Sequence, residues 1–68
     1  MKLGLYFFNG DYKIMTGVSA IERIANTIHQ NPYIIIYYGD KHKYYYEEFI
    51  DKLVLDGEII INKGVWYE

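Results

Sequence analysis

The stretch YIIIYY, residues 33–38, limits the fold of this 68-residue chain more than any other segment. Isoleucine and tyrosine are side chains that suit a pleated surface. The run begins after Asn31–Pro32, where a preceding helix would have to stop, and ends at Gly39–Asp40. It is far shorter than the roughly 20 apolar residues of a membrane helix. A strand that is apolar on both sides predicts a central place in a sheet, with both faces at least partly covered. The rest of the chain must therefore supply neighbouring strands and a cover.

Those resources are limited. A chain of this length forms one domain, residues 1–68, and buries only about 60% of the surface its unfolded form exposes. It has no cysteine and only two histidines, His29 and His42, so neither disulfides nor a zinc cluster can support it. No metal or other cofactor is expected. Nine tyrosines, three phenylalanines and Trp66 supply the bulk instead, and self-association is the other available support. The opening MKLGLYFFNGDYK holds too short an apolar segment for a signal peptide, which together with the missing cysteine predicts a soluble, cytoplasmic protein. Ile, Lys, Tyr and Asn are used heavily and Arg and Pro hardly at all. Such residues have A/T-rich codons, which predicts a low-GC source: a bacterium, a phage or another mobile element.

Periodicity divides the chain into elements. LGLYFF-NG-DYKIMT predicts a hairpin with a two-residue turn at Asn9–Gly10. That turn pairs Phe7 with Tyr12, Leu5 with Ile14 and Leu3 with Thr16. Leu3, Leu5, Phe7, Tyr12 and Ile14 then face the core, and Gly4, Tyr6, Phe8, Asp11, Lys13 and Met15 face away. Val18, Ile21, Ile24, Ala25 and Ile28 recur at helical spacing, which predicts an amphipathic helix over about 18–30 with a capping box at Ser19-x-x-Glu22. His29 falls on its polar side near the C-terminus. Tyr46, Phe49, Ile50, Leu53 and Val54 predict a second, shorter helix over about 46–55, led by Glu47, Glu48 and Asp51 and ended by Gly57. Residues 43–48 are open to either reading, strand or helix start; read as a strand beside 33–38, they set Tyr37 opposite Tyr44 and Ile35 opposite Tyr46 on one face, with Ile34, Ile36 and Tyr45 on the other. EIIINKGVWYE predicts a last hairpin, with Ile61 opposite Trp66 and Ile60 opposite Tyr67. The expected fold class is α+β, in the order ββαββαββ, mostly antiparallel sheet with both helices packed mainly on one face.

Catalytic sets are absent from this pattern. The single serine, Ser19, is already needed as a cap, and no nucleophile, base and orienting group come together. Asp40 and His42 flank Lys41 in a turn, two groups without a third partner. The carboxylates Glu47, Glu48 and Asp51 read as a solvated acidic face. Enzymatic activity is not expected. Net charge is −2, with an excess of bases before residue 44 and of acids after it, unlike the concentrated basic footprint of a phosphate binder.

The tail FIDKLVLDGEIIINKGVWYE resembles the closing part of a winged-helix domain, a helix followed by a hairpin wing. The resemblance implies a nucleic-acid-associated regulator as the alternative function. It ranks second because Glu47, Glu48 and Asp51, against Lys52 alone, would repel phosphates.

The tyrosines carry the first reading. A sheet covered on one side by two helices leaves its second face bare, and that face here would be rich in tyrosine, the residue that interfaces favour. The expectation is a non-catalytic protein-binding module, a modulator or inhibitor of a larger protein, which also associates with itself. Its partner surface is expected to include Tyr6, Phe8, Tyr37, Tyr38, Tyr44, Tyr46, Trp66 and Tyr67, with loop contacts from Asp40, Lys41 and His42. The partner is a protein, either a second copy or another chain, and not a membrane.

Overall fold

The computed structural model describes residues 1–25, 28 and 31–67. Its strands are β1 (Leu3–Phe7), β2 (Tyr12–Met15), β3 (Val18–Ile24), β4 (Tyr33–Tyr38), β5 (Lys41–Tyr46), β6 (Ile50–Leu55), β7 (Glu58–Asn62) and β8 (Val65–Trp66). A 3-10 turn, Glu47–Phe49, joins β5 to β6. All pairings are antiparallel. They form a five-stranded sheet in the order β2-β1-β6-β7-β8 and a three-stranded sheet in the order β3-β4-β5.

The α+β expectation is therefore corrected to an all-β one among the described residues. The helix expected over about 18–30 is strand β3 from Val18 to Ile24. His29, with residues 26, 27 and 30, lies outside the described residues. The helix expected over about 46–55 is the 3-10 turn and strand β6. Its loss also removes the helix on which the winged-helix resemblance depended. No helix among the described residues is long and apolar enough to cross a membrane.

Both errors have one physical cause. In β3 the pairing with β4 slips between Val18 and Ala20, so Ser19 is an extra residue in a bulge. Val18 and Ile21 then face the same way although they are three apart. In β6 the pairing with β1 passes from Lys52 opposite Tyr6 to Ile50 opposite Phe7, which makes Asp51 the extra residue. Ile50 and Leu53, again three apart, are both fully buried. A bulge resets the two-residue alternation of a strand and leaves a spacing of three, the mark of a helix face.

Turn geometry sets the remaining registers. Leu3 pairs with Met15, Leu5 with Lys13 and Tyr6 with Tyr12. The hairpin closes with Phe7 N–H donating to Asp11 C=O at 2.9 Å, and Gly10 is the loop residue at positive φ (93°). This is a three-residue loop ending in a glycine bulge, rather than the expected two-residue turn. The single-residue slip sends Tyr12 and Ile14 to the outside and leaves Met15 half-buried against the core. The last two hairpins turn on Asp56–Gly57 and Lys63–Gly64, with both residues of each pair at positive φ, as a type I′ turn requires. Ile61 lies opposite Trp66, and Tyr67 N–H donates to Ile60 C=O at 2.7 Å, as expected.

The core lies between the two sheets. Leu3, Leu5, Ile50, Leu53 and Ile61 come from the larger sheet, and Val18, Ile34 and Ile36 from the smaller. Each such side chain contributes about 1.5–3 kcal/mol relative to exposure. Met1 exchanges backbone hydrogen bonds with Val18 (2.8 and 3.0 Å) and so ties the start of β3 to the segment leading into β1. β4 is central in its sheet, as YIIIYY predicts: Ile34 and Ile36 point inward, and even the outward Ile35 is 8% exposed.

Candidate functional site

What covers Ile35 from outside is the feature that stands out. In an antiparallel sheet, residues directly opposite each other project to the same side. Ile35 pairs with Glu22 on β3 and Tyr44 on β5; Tyr33 pairs with Ile24 and Tyr46; Tyr37 pairs with Ala20 and His42. The outer face of the three-stranded sheet is thus a grid with Ile35 at its centre and aromatic rings along two of its three strands.

The rings form one connected series. Phe49 meets Tyr46 edge-on at 6.4 Å between centroids, Tyr46 meets Tyr33 at 6.4 Å, and Tyr33 meets Tyr44 at 5.8 Å. Tyr44 meets His42 at 5.3 Å, and His42 leans on Tyr37 at 6.0 Å. Edge-to-face pairs are worth about 0.5–1.5 kcal/mol beyond their burial, so the series stiffens the face. Tyr44, Tyr46 and Phe49 nevertheless remain 60%, 46% and 57% exposed. At one end the Tyr37 hydroxyl donates to Glu22 Oε1 at 2.9 Å. That hydrogen bond, then burial, then the charges of Glu22, Tyr44 and Tyr33, raise the Tyr37 pKa above its ordinary value.

A second cluster braces the same sheet from inside. Arg23 grips Glu47 with two hydrogen bonds, Nε to Oε2 at 2.9 Å and Nη2 to Oε1 at 3.2 Å. Trp66 Nε1 donates to Glu47 Oε1 at 2.7 Å, and the Arg23 guanidinium lies 4.8 Å from the centre of the Trp66 ring. Burial by itself pushes the Glu47 carboxyl up. The hydrogen bonds from Arg23 and Trp66, with the Arg23 charge, outweigh burial and hold it below its ordinary value. Glu47 opens the 3-10 turn, and this clamp fixes where Phe49 stands at the end of the aromatic series.

The residues expected at a partner surface are distributed over the molecule. Tyr37, Tyr44 and Tyr46 share the aromatic face, with His42 among them. The expected pairing had these strands two residues out of register, and a slip of two leaves every side chain on its own face. Tyr38 is on the inner side, half-buried against the core. Tyr6 is on the outer face of the other sheet, stacked on Tyr12 at 6.1 Å, with the Lys52 ammonium 5.9 Å from its ring. Phe8 sits in the first hairpin loop against Gly64. Trp66 belongs to the Arg23–Glu47 clamp. Tyr67 is exposed, its hydroxyl accepting from Asn62 Nδ2 at 3.2 Å. Asp40 and Lys41 lie exposed at the β4–β5 turn, and Lys41 projects from the side opposite His42.

The sequence reading placed Ile35 on the side of Tyr37, Tyr44 and Tyr46, and missed Tyr33, Glu22 and Phe49 as members of this face. Tyr33 shares the parity of Tyr37, so alternation alone would have found it. Glu22 and Phe49 depend on a bulge and a 3-10 turn that leave no such mark. Among the described residues, no group of three or more His, Asp or Glu side chains is placed to hold a metal ion. No protein-family model, curated protein or solved structure matches the chain.

Proposed function

We propose that this protein is a non-catalytic binding module that modulates or inhibits a larger protein, and that it docks through the outer face of β3, β4 and β5. The observation that carries this reading is the connected series of rings around Ile35. Soluble chains rarely leave a contiguous apolar patch of this kind uncovered. Tyrosine gives large contact area with few rotors to freeze, and a hydroxyl that tolerates water before the partner arrives. Because the rings already hold one another, little ordering entropy is left to lose on docking. The charge fixed on this face is the acidic Glu22, which favours a protein surface with basic groups over a phosphate backbone.

The test is a Tyr44→Ser/Tyr46→Ser double variant. Both side chains are exposed and lie outside the core, so the variant is expected to keep the wild-type far-UV spectrum and a cooperative melt, with the midpoint lowered by the lost ring contacts. Affinity capture from host lysate, read by mass spectrometry and confirmed with the purified candidate, is expected to show a partner that the wild type retains and the variant loses. Equal retention by a folded variant would sink the proposed face. Titration with labelled DNA and RNA at about 50 mM salt, where backbone attraction is strong, is expected to show no binding. Tight binding there that Tyr44→Ser/Tyr46→Ser abolishes would turn the reading to single-stranded nucleic acid.

A further inference from the structure

The free edge of the same sheet has a chemistry of its own. β5 pairs with β4 on one side through a two-residue turn, Gly39–Asp40, with Tyr38 opposite Lys41. The residues that flank a two-residue turn exchange both backbone hydrogen bonds, and along an antiparallel ladder such pairs alternate. Lys41, Lys43 and Tyr45 therefore direct their backbone groups to β4, while His42, Tyr44 and Tyr46 direct theirs away. The next bond in the series agrees: Glu47 N–H donates to Pro32 C=O at 3.0 Å. Among the described residues no backbone bond reaches the outward side of β5, and His42, Tyr44 and Tyr46 are exposed. Open edges of this length are usually blocked, because they invite another strand.

The side chains of β5 determine which strand can join. Read along the chain, KHKYYYEE is basic at one end and acidic just past the other. Antiparallel pairing with an identical strand brings unlike ends together. Sliding two copies past each other leaves few registers that keep the sheet faces aligned. Centred on Lys43, the pairing sets Lys43 against itself; centred on His42, it sets Lys41 against Lys43; like charges directly opposite are destabilising. Centred on Tyr45, it leaves His42 without a strand opposite, because the chain turns away at Glu47. Centred on Tyr44, every outward N–H and C=O of both strands finds a partner. Tyr44 then meets Tyr44 of the second copy, His42 meets Tyr46, and Lys41 stands level with Glu47.

We infer that β5 is a self-complementary edge: two copies of this chain pair β5 to β5 about a two-fold axis at Tyr44, forming one six-stranded sheet whose two aromatic faces run together. The inference deepens the binding-module reading, on which it rests for the use of this sheet. It gives the partner two adjoining faces instead of one.

Sedimentation of the whole chain over a concentration series is expected to show a monomer–dimer equilibrium. His42→Pro removes an outward N–H that β4 does not use, so the β4–β5 pairing stays intact and all the tyrosines of the face remain. This variant is expected to be monomeric where the wild type is dimeric. Cross-linking reads the register directly, since the chain has no other cysteine. Residues that exchange both bonds across the axis are about 5.5 Å apart at Cα, within disulfide reach. Oxidised Tyr44→Cys is expected to give a covalent dimer about tenfold faster than Lys43→Cys, whose counterpart in the second copy is displaced along the strand. A wild type that stays monomeric at every concentration, an undiminished dimer in His42→Pro, or faster linkage by Lys43→Cys would overturn the inference. A strict monomer that still loses a partner on Tyr44→Ser/Tyr46→Ser substitution rejects the pairing and leaves the binding-module reading standing. A dimer in which those changes alter no binding rejects that reading and keeps the pairing.

Discussion

Glu47 takes part in several contacts at once, so its carboxylate is where a single-residue change should be most visible. It accepts from Arg23 and from Trp66 and opens the turn that carries Phe49. Glu47→Ala would leave the half-buried Trp66 N–H unpartnered, at a cost of about 2 kcal/mol by denaturant unfolding. The pH dependence has a definite sign. Because the folded pKa lies below the ordinary value, the contribution is present at neutral pH and is lost as pH falls through the acid range, below about pH 4. The wild type should therefore lose more stability between pH 7 and pH 3 than Glu47→Ala does; parallel losses would show that the clamp is not coupled to folding. Tyr37 behaves in the opposite direction. Its folded pKa is raised, first by the bond to Glu22, so its contribution is present below about pH 10 and is lost as pH rises beyond it. In Glu22→Gln, phenolate absorbance should show one tyrosine titrating at lower pH than in the wild type. An unchanged titration would mean that the hydroxyl does not rest on Glu22 in solution.

At the scale of elements, the turns and bulges account for both what was legible and what was not. Gly64 and Lys63 sit at φ 79° and 53°, where a two-residue hairpin places left-handed residues. An L side chain at Gly64 would be strained there, and its Cβ would stand 3.2 Å from the Phe8 ring. Gly64→Ala is expected to cost about 1–2 kcal/mol, and Lys63→Asn, which suits the same turn, to add about 0.5 kcal/mol. Thermal melts of both variants, on one protein preparation, check the pair of signs. The Lys63–Gly64 turn was readable because its chemistry is local. The Asn9–Gly10 turn was misread by one residue because Asn-Gly fits two loop lengths, and sheet pairing selects between them. β3 and β6 were misread altogether. Their bulges at Ser19 and Asp51 give Val18 and Ile21, and Ile50 and Leu53, the spacing of a helix. A bulge is created by the neighbouring strand, and a sequence window of one segment carries no trace of it.

At the scale of the molecule, two small sheets share one layer of buried side chains, and no third layer among the described residues protects it. For a chain of 68 residues the expected stability is only about 3–10 kcal/mol. Ile36 is fully buried at the centre of β4, and Ile36→Ala should remove about 2–5 kcal/mol, enough to unfold much of the population at 37 °C. Tyr44→Ser, on the opposite side of the same sheet, gives up two edge-on ring contacts and no core volume, and should cost less, about 1–2 kcal/mol. A comparison of the two by circular dichroism separates the face that builds the fold from the face offered to a partner. The strand at 33–38, its central place, the final hairpin and the parity of Tyr37, Tyr44 and Tyr46 were all contained in the sequence, since alternation and turn chemistry act over a few residues. The tertiary structure alone decided that the cover is a second sheet and not a pair of helices, and that Tyr6 and Phe8 lie away from the aromatic face. Both depend on which strands meet across the core, a choice made by burial of all the apolar side chains together and not by any one segment.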